Sequence, residues 1–272
     1  MARERILIAV KTYPTLSTTY IELVRTAGFR EDGSWIRIYP SPFRFLERDK
    51  QYGKYHWVEM DLKKNTKDPR PESYSPTNID EIQVLEKVPT DRNWEARSRL
   101  ILDRNTIYTN LDMINQGAKH NDFSLAIFKP TEILDLVAER CEPEWELTRK
   151  EAAQAALRQG SLFDDTDHSD FELVRKLPWK FSYRFRDDTG KITRMMIEDW
   201  EIGQLYWNCL KKSNETTAVE KVRAKYLDDF ARTKDLYLFL GTTYQQHVRR
   251  LDNPYVIIGT FHPPYAPQQS LF

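Results

Sequence analysis

The sequence predicts an α+β fold: a strand-rich N-terminal unit, a helical connector and a second unit of mixed strands and helices. Three observations predict it. Residues 5–88 carry short apolar runs bounded by Gly, Pro and other turn residues. Residues 145–158 hold an alanine-rich helical piece that leads into an acidic stretch at 164–170. Residues 179–186 alternate strictly between aromatic and polar side chains, and helical periodicity follows.

Strands are expected at 5–10, at 20–26 with Gly28 as its stop, and at 35–39. The third follows the turn Glu31-Asp32-Gly33-Ser34 and is closed by Pro40 and Pro42. A fourth is expected at 55–62 and a fifth at 82–88, separated by a polar loop at 63–77 that contains three prolines. Residues 91–103 and 110–119 read as helices, and 123–128 and 133–137 as apolar runs. In the second half, Asp187-Asp188-Thr189-Gly190 is a turn signal joining strands at 179–186 and 192–197. The next helix places Ile202, Leu205, Tyr206, Cys209 and Leu210 on one face. Its acidic start and its Lys211-Lys212 end match the helix dipole. Another helix at 217–232 aligns Val219, Val222, Tyr226 and Phe230, and strands at 236–240 and 255–260 close the unit. The expected organisation is 1–139 strand-rich, 140–174 connector, 175–265 α+β and 266–272 tail.

Composition narrows the function. With 40% hydrophobic and 30% charged residues, the chain reads as folded and well solvated. Lys plus Arg equals Asp plus Glu at 41 each, which counts against non-specific coating of nucleic acid but not against a local basic face. Two cysteines and five scattered histidines do not form a Cys-rich zinc site, and a secreted disulfide framework is not expected. No stretch approaches the ~18 apolar residues that span a bilayer. The opening Met1-Ala2-Arg3-Glu4-Arg5 leads into a strand without a signal-peptide apolar core, so a cytoplasmic protein is expected.

Three places carry candidate chemistry. On the strand at 35–39, Trp35, Arg37 and Tyr39 share one face, with Ile36 and Ile38 on the other. With the Ile face buried, the Trp-Arg-Tyr face suits stacking of single-stranded nucleic acid, and Tyr55 and Trp57 would extend it. The plainer reading puts these aromatics under a neighbouring loop or domain. The segment 175–194 sets Lys180, Arg184 and Arg186 among alternating aromatics, against only Asp187 and Asp188 locally. Phosphate contact is the functional reading and a solvated outer face the plain one. Glu198, Asp199 and Glu201 would hold Mg²⁺ in a nuclease, although acids at a helix start more often serve the dipole. Asp165, Asp167 and Ser169 imitate the opening of a calcium loop, but no Gly takes the sixth place and Lys176 replaces the bidentate Glu. Phosphate-binding Gly loops, Ser elbows and Cys–His pairs are not recognisable, so no cofactor is expected. A third reading is a nucleotide sensor that gathers Lys11, Thr12, Ser17 and Arg37.

Two resemblances add to this. The run Arg5-Ile6-Leu7-Ile8-Ala9-Val10-Lys11, the segment Thr26-Ala27-Gly28, and Gly33 through Pro40 resemble an uncharacterised bacterial family with two OB-like barrels. Asp68-Pro69-Arg70-Pro71-Glu72-Ser73 carries a trace of the same family, and the second half shows no comparable match. The resemblance implies an OB-like N-terminal barrel. The terminal Gln268-Gln269-Ser270-Leu271-Phe272 resembles the peptide by which bacterial replication and repair proteins dock on the DNA polymerase sliding clamp. It implies Gln268 at one subsite and Leu271 and Phe272 in a hydrophobic one. Gln159-Gly160-Ser161-Leu162-Phe163 repeats the pattern, either as a second docking peptide or as an anchor. Together these readings lead to an accessory nucleic-acid-binding protein of bacterial DNA repair, replication or defence against foreign DNA. A metal-dependent nuclease or a nucleotide sensor is the alternative.

Overall fold

The computed structural model describes residues 2–17, 21–41, 43–160 and 172–265. The N-terminal unit contains β1 (Ala2–Lys11), the small hairpin of β2 (Thr15–Ser17) and β3 (Ile21–Leu23), β4 (Thr26–Arg30), β5 (Trp35–Ile38), β6 (His56–Lys64), β7 (Ser73–Pro76) and β8 (Gln83–Lys87). Five of these close on themselves in the order β1-β4-β5-β7-β6, with β6 pairing back onto β1 and β8 added outside β6. The β5–β7 pair is parallel and the other barrel pairs are antiparallel. This is the topology of an OB-like barrel.

Three strand expectations change. The strand expected at 20–26 is divided into β3 and β4, and Gly28 lies within β4 instead of ending it. A Cβ at Gly28 would lie 2.1 Å from the Leu7 carbonyl oxygen, so the close approach of β4 to β1 requires glycine. The polar loop at 63–77 contains β7, which closes the barrel, whereas the expected fifth strand is the outer β8. Gly33 turns the chain between β4 and β5 at a φ of +88°.

The rest of the chain supplies α1 (Asp91–Ile101), β9 (Ile107–Tyr108), α2 (Leu111–His120), β10 (Leu125–Phe128), β11 (Glu132–Arg140) and α3 (Leu147–Gly160). Next come β12 (Trp179–Arg186), β13 (Ile192–Met196), α4 (Trp200–Leu210) and α5 (Glu215–Arg223), which continues as a π-helical stretch, Ala224–Ala231. The last elements are β14 (Tyr237–Thr242), α6 (Tyr244–Val248) and β15 (Tyr255–Phe261). They form a four-stranded sheet, β15-β14-β10-β9, and a three-stranded sheet, β11-β12-β13. Side-chain oxygens of Asn110, Asp199 and Asn214 cap α2, α4 and α5. None of the described helices is long and apolar enough to cross a membrane.

Apolar layers stack these parts. Ile6, Ile8, Ile36, Ile38, Val58 and Met60 fill the barrel. On the other side of β1, Leu7 and Ala9 join Phe29, Trp57, Phe239, Ile258 and Phe261 between the barrel wall and the four-stranded sheet. The continuous apolar sequence of β1 therefore reflects burial on both faces. Beyond the sheet, Phe128, Leu238 and Ile257 meet Phe181, Tyr183, Phe185, Tyr206 and Tyr226.

Candidate functional site

The layer that joins barrel and sheet determines which part of the barrel stays open. An OB barrel offers its second and third strands and the loops before the second and after the fourth to an extended ligand. Here those strands are β4 and β5. Phe29 is buried, and Trp35 packs against it, tilted by 39° at 4.0 Å between centroids, and meets Phe239 of β14 at 5.5 Å. Arg37 is 3% exposed and donates through Nη2 to the carbonyl oxygen and Oγ of Ser124. Tyr39 is half-buried, while Tyr55 and Trp57 are 7% and 8% exposed. The face that the sequence presents as open is thus covered over Arg37 by Ser124, just before β10, and half-covered over Trp35 by Phe239 of β14. Strand alternation assigns a face correctly but does not say what packs on it.

Beyond that cover lies a cavity of about 560 Å³ at the Tyr39 end of the face. Arg25 comes from the link before β4, Arg37 and Tyr39 from β5 and its end, Asn65, Lys67, Asp68 and Arg70 from the β6–β7 loop, and Thr243, Tyr244, Gln245 and Gln246 from the start of α6. The loop is built on Asp68: its carboxylate accepts from Arg70 Nε at 2.8 Å, from Ser73 Oγ at 2.7 Å and from the Arg70 backbone N–H. Arg70 Nη1 also donates to the Thr242 carbonyl at 2.7 Å, and Glu72 accepts from Ser124 N–H and Oγ at 2.7 and 2.6 Å. The Asp-Pro-Arg-Pro-Glu-Ser segment is therefore the clasp that ties the loop to the second sheet.

The cavity is cationic and incompletely satisfied. Burial draws the Arg37 guanidinium down to about 9; Arg70 and Arg25 push in the same direction, while Glu72 and Asp68 pull it up. Arg37 Nε and Gln246 Oε1 are buried without hydrogen-bond partners. Arg25 pairs with Glu198 at 2.6 Å, and Lys67 is exposed at the rim. Tyr244 is 48% exposed, with the Arg70 guanidinium 5.7 Å from its ring centre. Lys11, Thr12 and Ser17 do not line this cavity; Lys11 donates to the Tyr52 carbonyl, and Thr12 Oγ1 accepts from the Arg25 N–H. A cavity of similar size, about 530 Å³, lies between the connector and α4, but there Arg175 already covers Trp207 at 3.9 Å.

The other expected residues fall elsewhere. Glu198 turns to Arg25, whereas Asp199 and Glu201 close on Lys54 Nζ at 2.7 and 3.1 Å. The three carboxylates do not converge, and a lysine ammonium occupies the place the nuclease reading gives to Mg²⁺. Burial opposes charge on Lys54, but Asp199 and Glu201 outweigh it and hold the ammonium above its ordinary value. On β12, Phe181, Tyr183 and Phe185 are buried, Lys180 and Arg184 are exposed, and Arg186 is half-buried. Each basic residue stands opposite an acidic residue of β11: Lys180 with Glu139, Arg184 with Asp135, Arg186 with Glu132. Glu139 also holds Arg194, and Asp135 holds Arg223. Gln268, Leu271 and Phe272, and residues 161–163 of the inner repeat, lie outside the described residues, as do Asp165, Asp167 and Ser169.

Fold and site thus define an OB-like barrel backed by an α+β unit, with a basic, aromatic-edged cavity at the open end of the barrel face. The chain belongs to the family described as domain of unknown function DUF8757, whose model matches residues 104–272. A second model, domain of unknown function DUF8758, matches residues 2–103. No curated protein matches. Among solved structures the chain is similar to a murine DNA-binding protein bound with double-stranded DNA, at 10% identity and a TM-score of 0.32. The match covers 98% of this chain and 97% of that one, and at that TM-score it carries no functional argument.

Proposed function

We propose that this protein binds single-stranded nucleic acid through the cavity at the Tyr39 end of the barrel face. One observation carries the reading. The part of the OB ligand face that the second unit leaves open is lined by Arg25, Arg37, Lys67 and Arg70, with Tyr244 exposed at its edge. Guanidinium and ammonium groups suit phosphate, a tyrosine face suits a base, and the amides of Asn65, Gln245 and Gln246 suit a base edge. Fluorescence anisotropy with labelled single-stranded DNA and RNA tests it. Tyr244→Ala should weaken binding about 5- to 150-fold, corresponding to about 1–3 kcal/mol for one stacked base. Unchanged affinity in both Tyr244→Ala and Lys67→Ala would place any binding elsewhere.

The concave shape of the cavity favours a second reading, a free nucleotide as ligand. A mononucleotide that binds while oligonucleotides do not would select it. An accessory role in DNA repair, replication or defence, with docking on the sliding clamp, rests on the terminal Gln268, Leu271 and Phe272. Removal of Leu271 and Phe272 should abolish clamp binding in a pull-down and leave thermal stability unchanged. Retained clamp binding would end that proposal.

A further inference from the structure

Resting on the reading above, we infer that the cavity takes the phosphorylated end of a strand and excludes its interior. A strand that runs through an OB barrel passes along the whole face of the second and third strands. In this molecule the path is crossed twice. At the far end Phe239 covers Phe29 and Trp35. Next to it, Ser124, just before β10, is held across the face, accepting from Arg37 on β5 and donating to Glu72 of the β6–β7 loop. A chain entering beside Tyr39 therefore meets a wall of hydrogen-bonded backbone at Ser124 and has no continuation along the face.

The charges at that wall suit a terminal phosphate better than a phosphodiester. A phosphate monoester carries about −1.5 to −2 charge and three acceptor oxygens, whereas a diester carries one charge. The Arg37 guanidinium, with Nε unpartnered, sits among two further guanidinium groups. Two of those guanidinium groups have carboxylate partners, Arg70 in Asp68 and Arg25 in Glu198, and Glu72 is held by Ser124, so Arg37 and the rim Lys67 are the cations this cavity has to offer an incoming phosphate. Lys67 at the rim adds a cation over the opening.

The test uses the intact protein and one oligonucleotide sequence in three forms, each competing against an internally labelled strand. The forms are linear with a phosphate at both ends, linear without terminal phosphate, and ligated into a circle. The phosphorylated linear form should compete at least tenfold better than the circle, with the dephosphorylated form between them, and Lys67→Ala should narrow the gap. A circle that competes as well as the linear form overturns end recognition and leaves nucleic-acid binding standing. Equal competition by the two linear forms overturns the phosphate assignment. Absence of binding by every form, with or without binding of a mononucleotide, overturns the strand-binding reading itself.

Discussion

Phe239 of β14 meets Trp35 of β5 edge to face, ring centroids 5.5 Å apart and planes at 85°. This contact fastens the second unit to the barrel and leaves Trp35 half-buried. Trp35→Ala should therefore lower stability by about 2–4 kcal/mol in urea unfolding, since it opens a cavity against Phe29 and Phe239. A variant as stable as the parent would mean that the two units are not fastened here.

Lys54 makes a second join, between the barrel and α4. It is 7% exposed, and Asp199 is fully buried. Lys54→Met should destabilise by about 3–5 kcal/mol, because it leaves the Asp199 carboxylate buried without its counter-charge. Adding Asp199→Asn, which keeps an oxygen for the α4 cap, should restore much of that loss. A double variant no more stable than Lys54→Met would show that the ion pair is not the source of the effect.

Much of the fold was legible because local pattern carries it. The continuous apolar runs of β1, β14 and β15 and the aromatic alternation of β12 declared themselves. β7 did not, because Ser73–Pro76 is short, polar and ends in proline, and only closure of the barrel makes it a strand. The site was less legible for the same reason. Arg25, Lys67, Arg70 and Tyr244 come from loops and ends far apart in sequence, whose shared cavity exists only after the units meet. The Asp-Pro-Arg-Pro-Glu-Ser segment was a visible signal, though its carboxylates and arginine act first as a clasp. The acidic residues opposite the basic stripe of β12 were not legible beside it because they lie on β11, more than forty residues upstream.

Acid should reveal His262. Its ring stacks on Phe230 at 3.6 Å between centroids, and its Nδ1 is buried without a partner. Burial draws the imidazole down to about 4; Glu201 and Asp229 pull upward, while Lys54 and Lys225 push further down. As pH falls through about 6.5 the unfolded chain takes up this proton first, so stability should decline between about pH 6.5 and 4. His262→Phe keeps the stack and removes the titration, and should flatten that limb in urea unfolding at stepped pH. A limb of unchanged steepness would assign it to other groups.

Salt dependence separates the cavity from the β12 surface. Lys180, Arg184 and Arg186 stand opposite Glu139, Asp135 and Glu132 across the β11–β12 ladder, which lowers their field, although Glu139 and Asp135 are shared with Arg194 and Arg223. Lys67 is exposed at the rim of a cavity whose other cations are Arg25, Arg37 and Arg70. A lysine that displaces one counterion from a single strand contributes about 0.7 to the slope of log affinity against log salt. Lys67→Ala should lower the measured slope by about that amount without changing sequence preference. The triple change Lys180→Ala, Arg184→Ala, Arg186→Ala should leave the slope unchanged, and loss of the Arg186–Glu132 pair should cost only about 0–1 kcal/mol of stability. Anisotropy titrations of both variants from low to high salt decide the matter. A slope that falls in the triple variant and holds in Lys67→Ala would move the phosphate contact from the barrel cavity to the three-stranded sheet.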